Sequence, residues 1–257
     1  MKQAIQWAVV CGLIAASGSG NLLAQDEEVE SIDIVSVELY ACSYHDGKGP
    51  ADLDKWTDKW NAWADERKFD SYSAYTMTPF YYGEDQDFDF LWLGVAPNGV
   101  AMGRAQDAWV TQSGDLPAES AKLWSCDAHH NYATMNVKRP PDDGATTFVL
   151  SFADCTVEEG KSWDDVGPAL NAWGEYREAN GSKAGMWVMW PAYGAGDVDF
   201  DFKFITSYRS YESLGMDYDQ YAAAGYAKAE ELFDGVIDCD VARSYNAVER
   251  RRAADDE

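Results

Sequence analysis

Asp87-Phe88-Asp89-Phe90 returns as Asp199-Phe200-Asp201-Phe202, 112 residues further on. At the same offset Met77 meets Met189, Pro79 meets Pro191, and Tyr81 meets Tyr193. Upstream, Asn61-Ala62-Trp63 returns as Asn171-Ala172-Trp173 at an offset of 110. Cys42 and Cys126 return as Cys155 and Cys239 at 113. Chance can supply one such tetrapeptide. A colinear series of matches that ends in cysteines, with only small drift, reads as a duplication separated by short loop insertions. Lys138-Arg139-Pro140-Pro141-Asp142-Asp143-Gly144 lies between the copies, and its prolines and glycine mark a boundary.

Each copy parses alike. Residues 34–41 alternate and are rich in β-formers, as are residues 147–154. Leu53, Trp56, Trp60 and Trp63 then form one helical stripe, with Asp52 as expected N-cap. Trp163, Val166, Leu170 and Trp173 repeat the spacing behind Ser162. Strands are expected over 71–78 and 184–190, and again over 88–95 and 200–206. A looser helical region covers 102–109 and 119–124, its partner 218–233. Last strands start at Cys126 and Cys239. The order is β-α-β-β-α-β, that of the ferredoxin-like module. In that module the fourth strand lies antiparallel beside the first, which suits Cys42–Cys126 and Cys155–Cys239 disulfides.

Two such modules in tandem resemble the dimeric α/β-barrel superfamily. That group includes small monooxygenases, stress-responsive barrel proteins and haem-binding peroxidase relatives. The resemblance implies an α+β fold with two sheets packed face to face and helices outside. It covers residues 32–250 as topology alone, without the motif of any one member family, so it transfers no site residues.

Residues 1–24 read as a secretory signal: Lys2, a short apolar run, then small residues. Residues 25–31 form an acidic linker, 32–138 the first module, 139–145 the Pro/Gly linker, 146–250 the second module and 251–257 a tail. Set aside Cys11 in the signal, and four cysteines remain, an even count that fits an oxidising, periplasmic or secreted setting. The formal net charge is −25, with 45 acidic against 20 basic residues. Such a field repels phosphate backbones, which excludes nucleic acid as a partner. No segment after the signal is apolar enough to span a membrane. Oligomeric state is left open.

Strand parity divides the side chains into two sets. Val35, Val37, Leu39, Phe88, Phe90 and Trp92 stay apolar in both copies and are expected to face the helices. The opposite face then lines the space between the sheets, and would bring Glu38, Asp89, His130 and Tyr132 together as candidate catalytic groups. Tyr40, Tyr81, Tyr82, Trp187, Trp190, Tyr193, Asp201, Arg243 and Tyr245 are the candidate ligand contacts, suited to a small apolar or aromatic molecule. There is no metal-ligand spacing, no Gly-rich phosphate loop and no free thiol once both disulfides form, so no metal and no cofactor are expected. Three readings follow. The first is an exported acidic small-molecule-binding protein with a pseudo-symmetric barrel interior. The second is a barrel enzyme of oxidoreductase type, cofactor-independent or assisted by haem or metal, using Glu38, Asp89 and His130. The third is an interaction module of the cell envelope.

Overall fold

The computed structural model describes residues 34–84 and 86–254. The expected signal and acidic linker lie outside them. Two runs of elements follow each other. The first holds β1 (Ile34–Tyr44), α1 (Pro50–Glu66), β2 (Ser73–Tyr81), β3 (Phe90–Ala96), α2 (Gly99–Gln112), α3 (Leu116–Ser120) and β4 (Trp124–Lys138). The second holds β5 (Thr147–Val157), α4 (Trp163–Ala179), β6 (Gly185–Tyr193), β7 (Phe202–Tyr208), α5 (Tyr211–Gln220), α6 (Tyr226–Phe233), β8 (Ile237–Cys239) and β9 (Arg243–Arg251).

Local chemistry accounts for the helix starts. Ser162 accepts from the Asp164 backbone N–H at 3.2 Å, and the Asp165 carboxylate accepts from the Ser162 N–H at 3.0 Å, a capping box. In α1 the expected cap is displaced by three residues. Gly49 is the N-cap and Pro50 the first helical residue, while Asp52 accepts from the Gly49 N–H at 3.2 Å. Proline fits the first turn because its missing N–H would be unpaired there anyway.

The strands run β7-β6-β4-β1-β3-β2-β9-β5, and a β5–β7 pairing closes the ring into an eight-stranded antiparallel barrel. Short β8 continues along β5 beyond β9, from Cys155 to Val157. The first half contributes the order β4-β1-β3-β2 and the second β9-β5-β7-β6. The two sheets were expected to pack face to face. Their inner faces do meet across the barrel interior, and their edges are hydrogen-bonded as well, β4 to β6 and β2 to β9. Among the described residues closure pairs each of the eight barrel strands on both sides, while short β8 pairs with β5 only. Met77 and Met189, matched in the repeat, sit at the two seams opposite Ala247 and Thr134. Arg250 and Arg251, expected near a tail, close one seam: Arg251 donates to Phe69 O at 3.1 Å and pairs with Asp65 at 2.6 Å. Among the described residues no helix is long and apolar enough to cross a membrane.

Three apolar layers result. Trp56, Trp60, Trp63, Phe90 and Trp92 pack between the first half's sheet and helices. Val166, Leu170, Val188 and Phe202 do so in the second. Val37, Met77, Leu91, Leu150, Phe152 and Ile205 fill the barrel. Burying each large side chain contributes about 1.5–3 kcal/mol.

The expected parity is therefore corrected for β1 and β5. Val35, Val37 and Leu39 face the barrel interior, as do Phe148, Leu150 and Phe152. Glu38, Tyr40 and Cys42 face the helices. Phe90 and Trp92 face the helices as expected, whereas Phe88 packs with the interior. Along most of β1, β3 and β5 both faces are covered, one by helices and one by the opposite wall. Polarity thus cannot tell the faces apart, and the register does: Cys42 pairs with Phe90, Tyr40 with Trp92 and Leu39 with Leu93. A β-bulge adds a second shift. Cys42 opposes Cys126 but Ala41 opposes Ala128, so Asp127 is the extra residue. Beyond it His129 opposes Tyr40 on the helix side, and His130 opposes Leu39 on the interior side.

Candidate functional site at the His130 end of the barrel

The repeated Asp-Phe-Asp-Phe proves to be a structural staple. Tyr44 N donates to Asp89 Oδ2 at 2.7 Å, and Asp89 N donates to Cys42 O at 2.9 Å. Asp201 does the same with Val157 N at 2.7 Å and Cys155 O at 2.9 Å. Phe90 and Phe202 are buried beneath the helices. Beside these staples the Cys42–Cys126 and Cys155–Cys239 disulfides join the paired strands. Asp89 and Asp201 thus hold strand ends, and the structure does not bring Asp89 to Glu38 or His130.

Phe88 and Phe200, the remaining aromatics of the repeat, line a cavity of about 690 Å³ at one end of the barrel. His130 and Tyr132 enter it from β4, Asp154 from β5, Lys203 from β7, and Arg243 and Tyr245 from β9. Tyr81 and Tyr82 stand at its exposed rim. His130 Nδ1 is 3.1 Å from Tyr132 Oη. Burial, then the Lys203 charge and His129, hold the His130 imidazole below the ordinary histidine range, which favours its neutral form. Burial, reinforced by Asp154, pushes the Tyr132 phenol well up, so it stays protonated. Asp154 lies between two cations: Lys203 Nζ bonds its Oδ1, and Arg243 Nη2 is 3.2 Å from its Oδ2. Arg243 also pairs with Asp240 at 2.8 Å, and Lys203 sits over the Phe200 ring at 4.2 Å.

A second cavity, about 680 Å³, opens at the other end of the barrel. Tyr75, Phe148, Trp187 and Met189 make its walls, and Phe152 borders both cavities. The inter-module linker crosses its mouth, held by Arg209 on Asp143 at 2.8 Å. A third, of about 160 Å³, lies outside the barrel beneath the first half's helices, and holds Glu38 and Tyr40. Tyr72 Oη donates to Glu38 Oε1 at 2.6 Å, and His129 Nε2 is 2.9 Å from Oε2. Tyr40 and Gln106 each donate to Oε2 at 3.3 Å. Burial raises the Glu38 carboxyl, but bonds from His129, Tyr72 and Gln106 outweigh it and leave it below the usual range. Trp190 packs on Trp163 in the second helix layer, ring centroids 4.7 Å apart, and Tyr193 is exposed at 77%.

No family model matches the sequence, and no curated protein matches it. Solved structures match the chain's path. A putative monooxygenase from Lactobacillus acidophilus superposes with a TM-score of 0.52 at 11% identity, over 86% of this chain and 95% of the other. A heme-binding protein from Thermus thermophilus gives 0.52 at 10%, over 84% and 92%. A putative chlorite dismutase gives 0.51 at 9%, over 86% and 97%. The fold is that of the dimeric α/β barrels.

The Thermus thermophilus protein of this fold binds heme, a group that needs a roomy cavity and an iron ligand. The helix-side cavity does not fit it. About 160 Å³ is well under the roughly 300–1,000 Å³ that drug-sized ligands occupy, let alone a haem, and no histidine lines it. Its cysteines are in a disulfide. His129 is engaged with Glu38 and stacked on Tyr40, ring centroids 3.7 Å apart. In the barrel, His130 is a single donor beside walls already committed to ion pairs. Among the described residues no group of three His, Cys, Asp or Glu is arranged for a metal ion.

Sequence reasoning had singled out His130, Tyr132, Tyr81, Tyr82, Arg243 and Tyr245, which the barrel gathers at one end. It missed Lys203 and Asp154. A signal existed for Lys203: it is the one charge in the apolar strand Phe202–Tyr208. Asp154 carries no such mark, because its role depends on strands β7 and β9 lying on either side of β5.

Proposed function

We propose that this chain is an exported binding protein whose ligand is a small ring-bearing molecule with an acidic hydroxyl or carboxyl group, held in the His130 end of the barrel. One observation carries the reading: a cavity of about 690 Å³ in which His130, Lys203 and Arg243 converge among tyrosine and phenylalanine rings. The size lies within the range of small-molecule sites, and few polar groups amid apolar walls is their usual composition. The aromatic walls would take the ring. With its Nδ1–H turned to Tyr132 Oη, neutral His130 leaves Nε2 free to accept a hydrogen bond from the ligand's hydroxyl, and Lys203 and Arg243, though paired with Asp154 and Asp240, keep further N–H donors for an acidic oxygen. Two open-ended cavities argue against a purely structural interaction module. The two disulfides suit an oxidising compartment, which supports export. The common strand order of the halves and the sequence repeat support their descent from one ferredoxin-like module.

A second reading, an oxidoreductase-like barrel enzyme, is favoured by the His130–Tyr132 pair, since a neutral imidazole whose Nδ1–H donates to the phenol oxygen keeps Nε2 free to take a proton from a bound substrate. The neighbour described as a putative monooxygenase lends it support. Titration of the purified protein with aromatic carboxylates and phenols, followed by calorimetry, tests the binding reading. Arg243→Ala and His130→Ala should each weaken binding about tenfold, the size expected for one charged contact. Affinity for phenols should fall with pH as His130 protonates, below the ordinary range near 6.5. Unchanged affinity in both variants would refute the site. Oxygen uptake on ligand addition, lost in His130→Ala, would favour the enzyme.

A further inference from the structure

The helix-side cavity of the first half lies outside the barrel and has no part in the reading above. Its walls are Trp56, Trp60, Trp63, Trp92, Trp109 and Trp124, and the Glu38 carboxylate enters from β1. Trp56 stands at the centre, edge-to-face with Trp92, Trp109 and Trp124 at centroid distances of 6.0, 6.2 and 5.1 Å.

Three features point the same way. First, Glu38 is 5% exposed, and its donors Tyr72, Tyr40 and Gln106 are neutral. Among the described residues its ion-pair partner is His129, which carries charge only when protonated. A buried carboxylate is costly unless a cation balances it. Second, the space is about 160 Å³, and roughly 150 Å³ suffices for a molecule of benzene's size. Third, indole rings are the aromatic surface that cations prefer. The frame itself does not require the box. At the matched positions of the second half Ser151 replaces Glu38, Val166 replaces Trp56, Leu170 replaces Trp60 and Phe204 replaces Trp92. The backbone is adapted to it as well. A Cβ on Gly94 would lie 1.8 Å from Tyr72 Oη, so only glycine lets Tyr72 reach Glu38, and Thr206 stands there in the second half.

We propose that this cavity binds a small organic cation, a methylated ammonium group, with its charge balanced by Glu38 and its methyl groups packed against the tryptophan box. Indole fluorescence of the purified, disulfide-bonded protein reads occupancy directly. Choline and tetramethylammonium should change it saturably, and 3,3-dimethyl-1-butanol, the neutral match for choline in shape, should bind at least about tenfold more weakly. Glu38→Gln, with circular dichroism confirming the fold, should reduce choline affinity about tenfold and leave the neutral alcohol unaffected. The wild-type comparison stands whether or not that variant folds. No saturable response to either cation, or equal affinity for choline and the alcohol, would overturn the proposal. So would undiminished choline binding by folded Glu38→Gln.

Discussion

In the first half, Trp56, Trp60, Trp92 and Trp124 surround the Glu38 carboxylate between sheet and helices. In the second, Val166, Leu170, Phe204 and Ile237 hold the matched positions, with Ser151 in place of the glutamate. Yet the strands beneath run in the same order, and the staples at Asp89 and Asp201 agree to within a tenth of an ångström. The frame therefore asks only that this layer be apolar and filled. Close packing makes volume matter, but equivalent frames accept different side chains when the layer is rebuilt together. The first half thus carries a lining that the frame shared with the second half does not require.

The largest effect should show the halves to be equal. Each disulfide spans a sequence separation of 84. Chain entropy assigns each about 4–5 kcal/mol. Urea unfolding of Cys42→Ala/Cys126→Ala and Cys155→Ala/Cys239→Ala should give losses of that size, alike within about 1 kcal/mol. A clear inequality would mean that the frames differ in rigidity as well as lining. A smaller effect should separate the halves. Gly94→Ala forces Tyr72 off Glu38 and should cost about 3 kcal/mol through crowding and a lost buried bond. Thr206→Ala at the matched place should cost about 1 kcal/mol or less. Equal costs would dissolve the contrast.

The smallest effect is in pH. The Glu38 carboxyl is depressed in the folded chain, so its contribution is present above the unfolded value, near 4.3, and is lost as pH falls through the folded value. Between pH 7 and pH 3 the wild type should lose on the order of 1 kcal/mol more than Glu38→Gln. Urea midpoints at the two pH values measure it, and an identical loss would mean that the carboxylate gains nothing from its donors.

Much of the fold could be read along the chain. The sequence repeat, the helical apolar stripe and the matched cysteines point to element order and disulfide pairing, because these are local or periodic features that the sequence displays in both halves. The site was only partly legible. Glu38 was assigned to His130, whereas it meets His129. The cause is one inserted residue, Asp127, at a bulge no residue pattern announces. Side chains alternate with period two, so a single insertion exchanges the faces of all that follows.

By itself, then, the sequence determined the order of strands and helical regions and which cysteines join, since propensity, spacing and repetition act over short stretches; the structure splits the strand expected from Cys239 into β8 and β9 and divides the second helical region of each half in two. Tertiary structure alone decided which strand faces look inward, that the sheet edges close into a barrel, and that Lys203 and Arg243 share Asp154. Those outcomes depend on register between strands distant in the chain, which hydrogen bonding and burial on both faces select together.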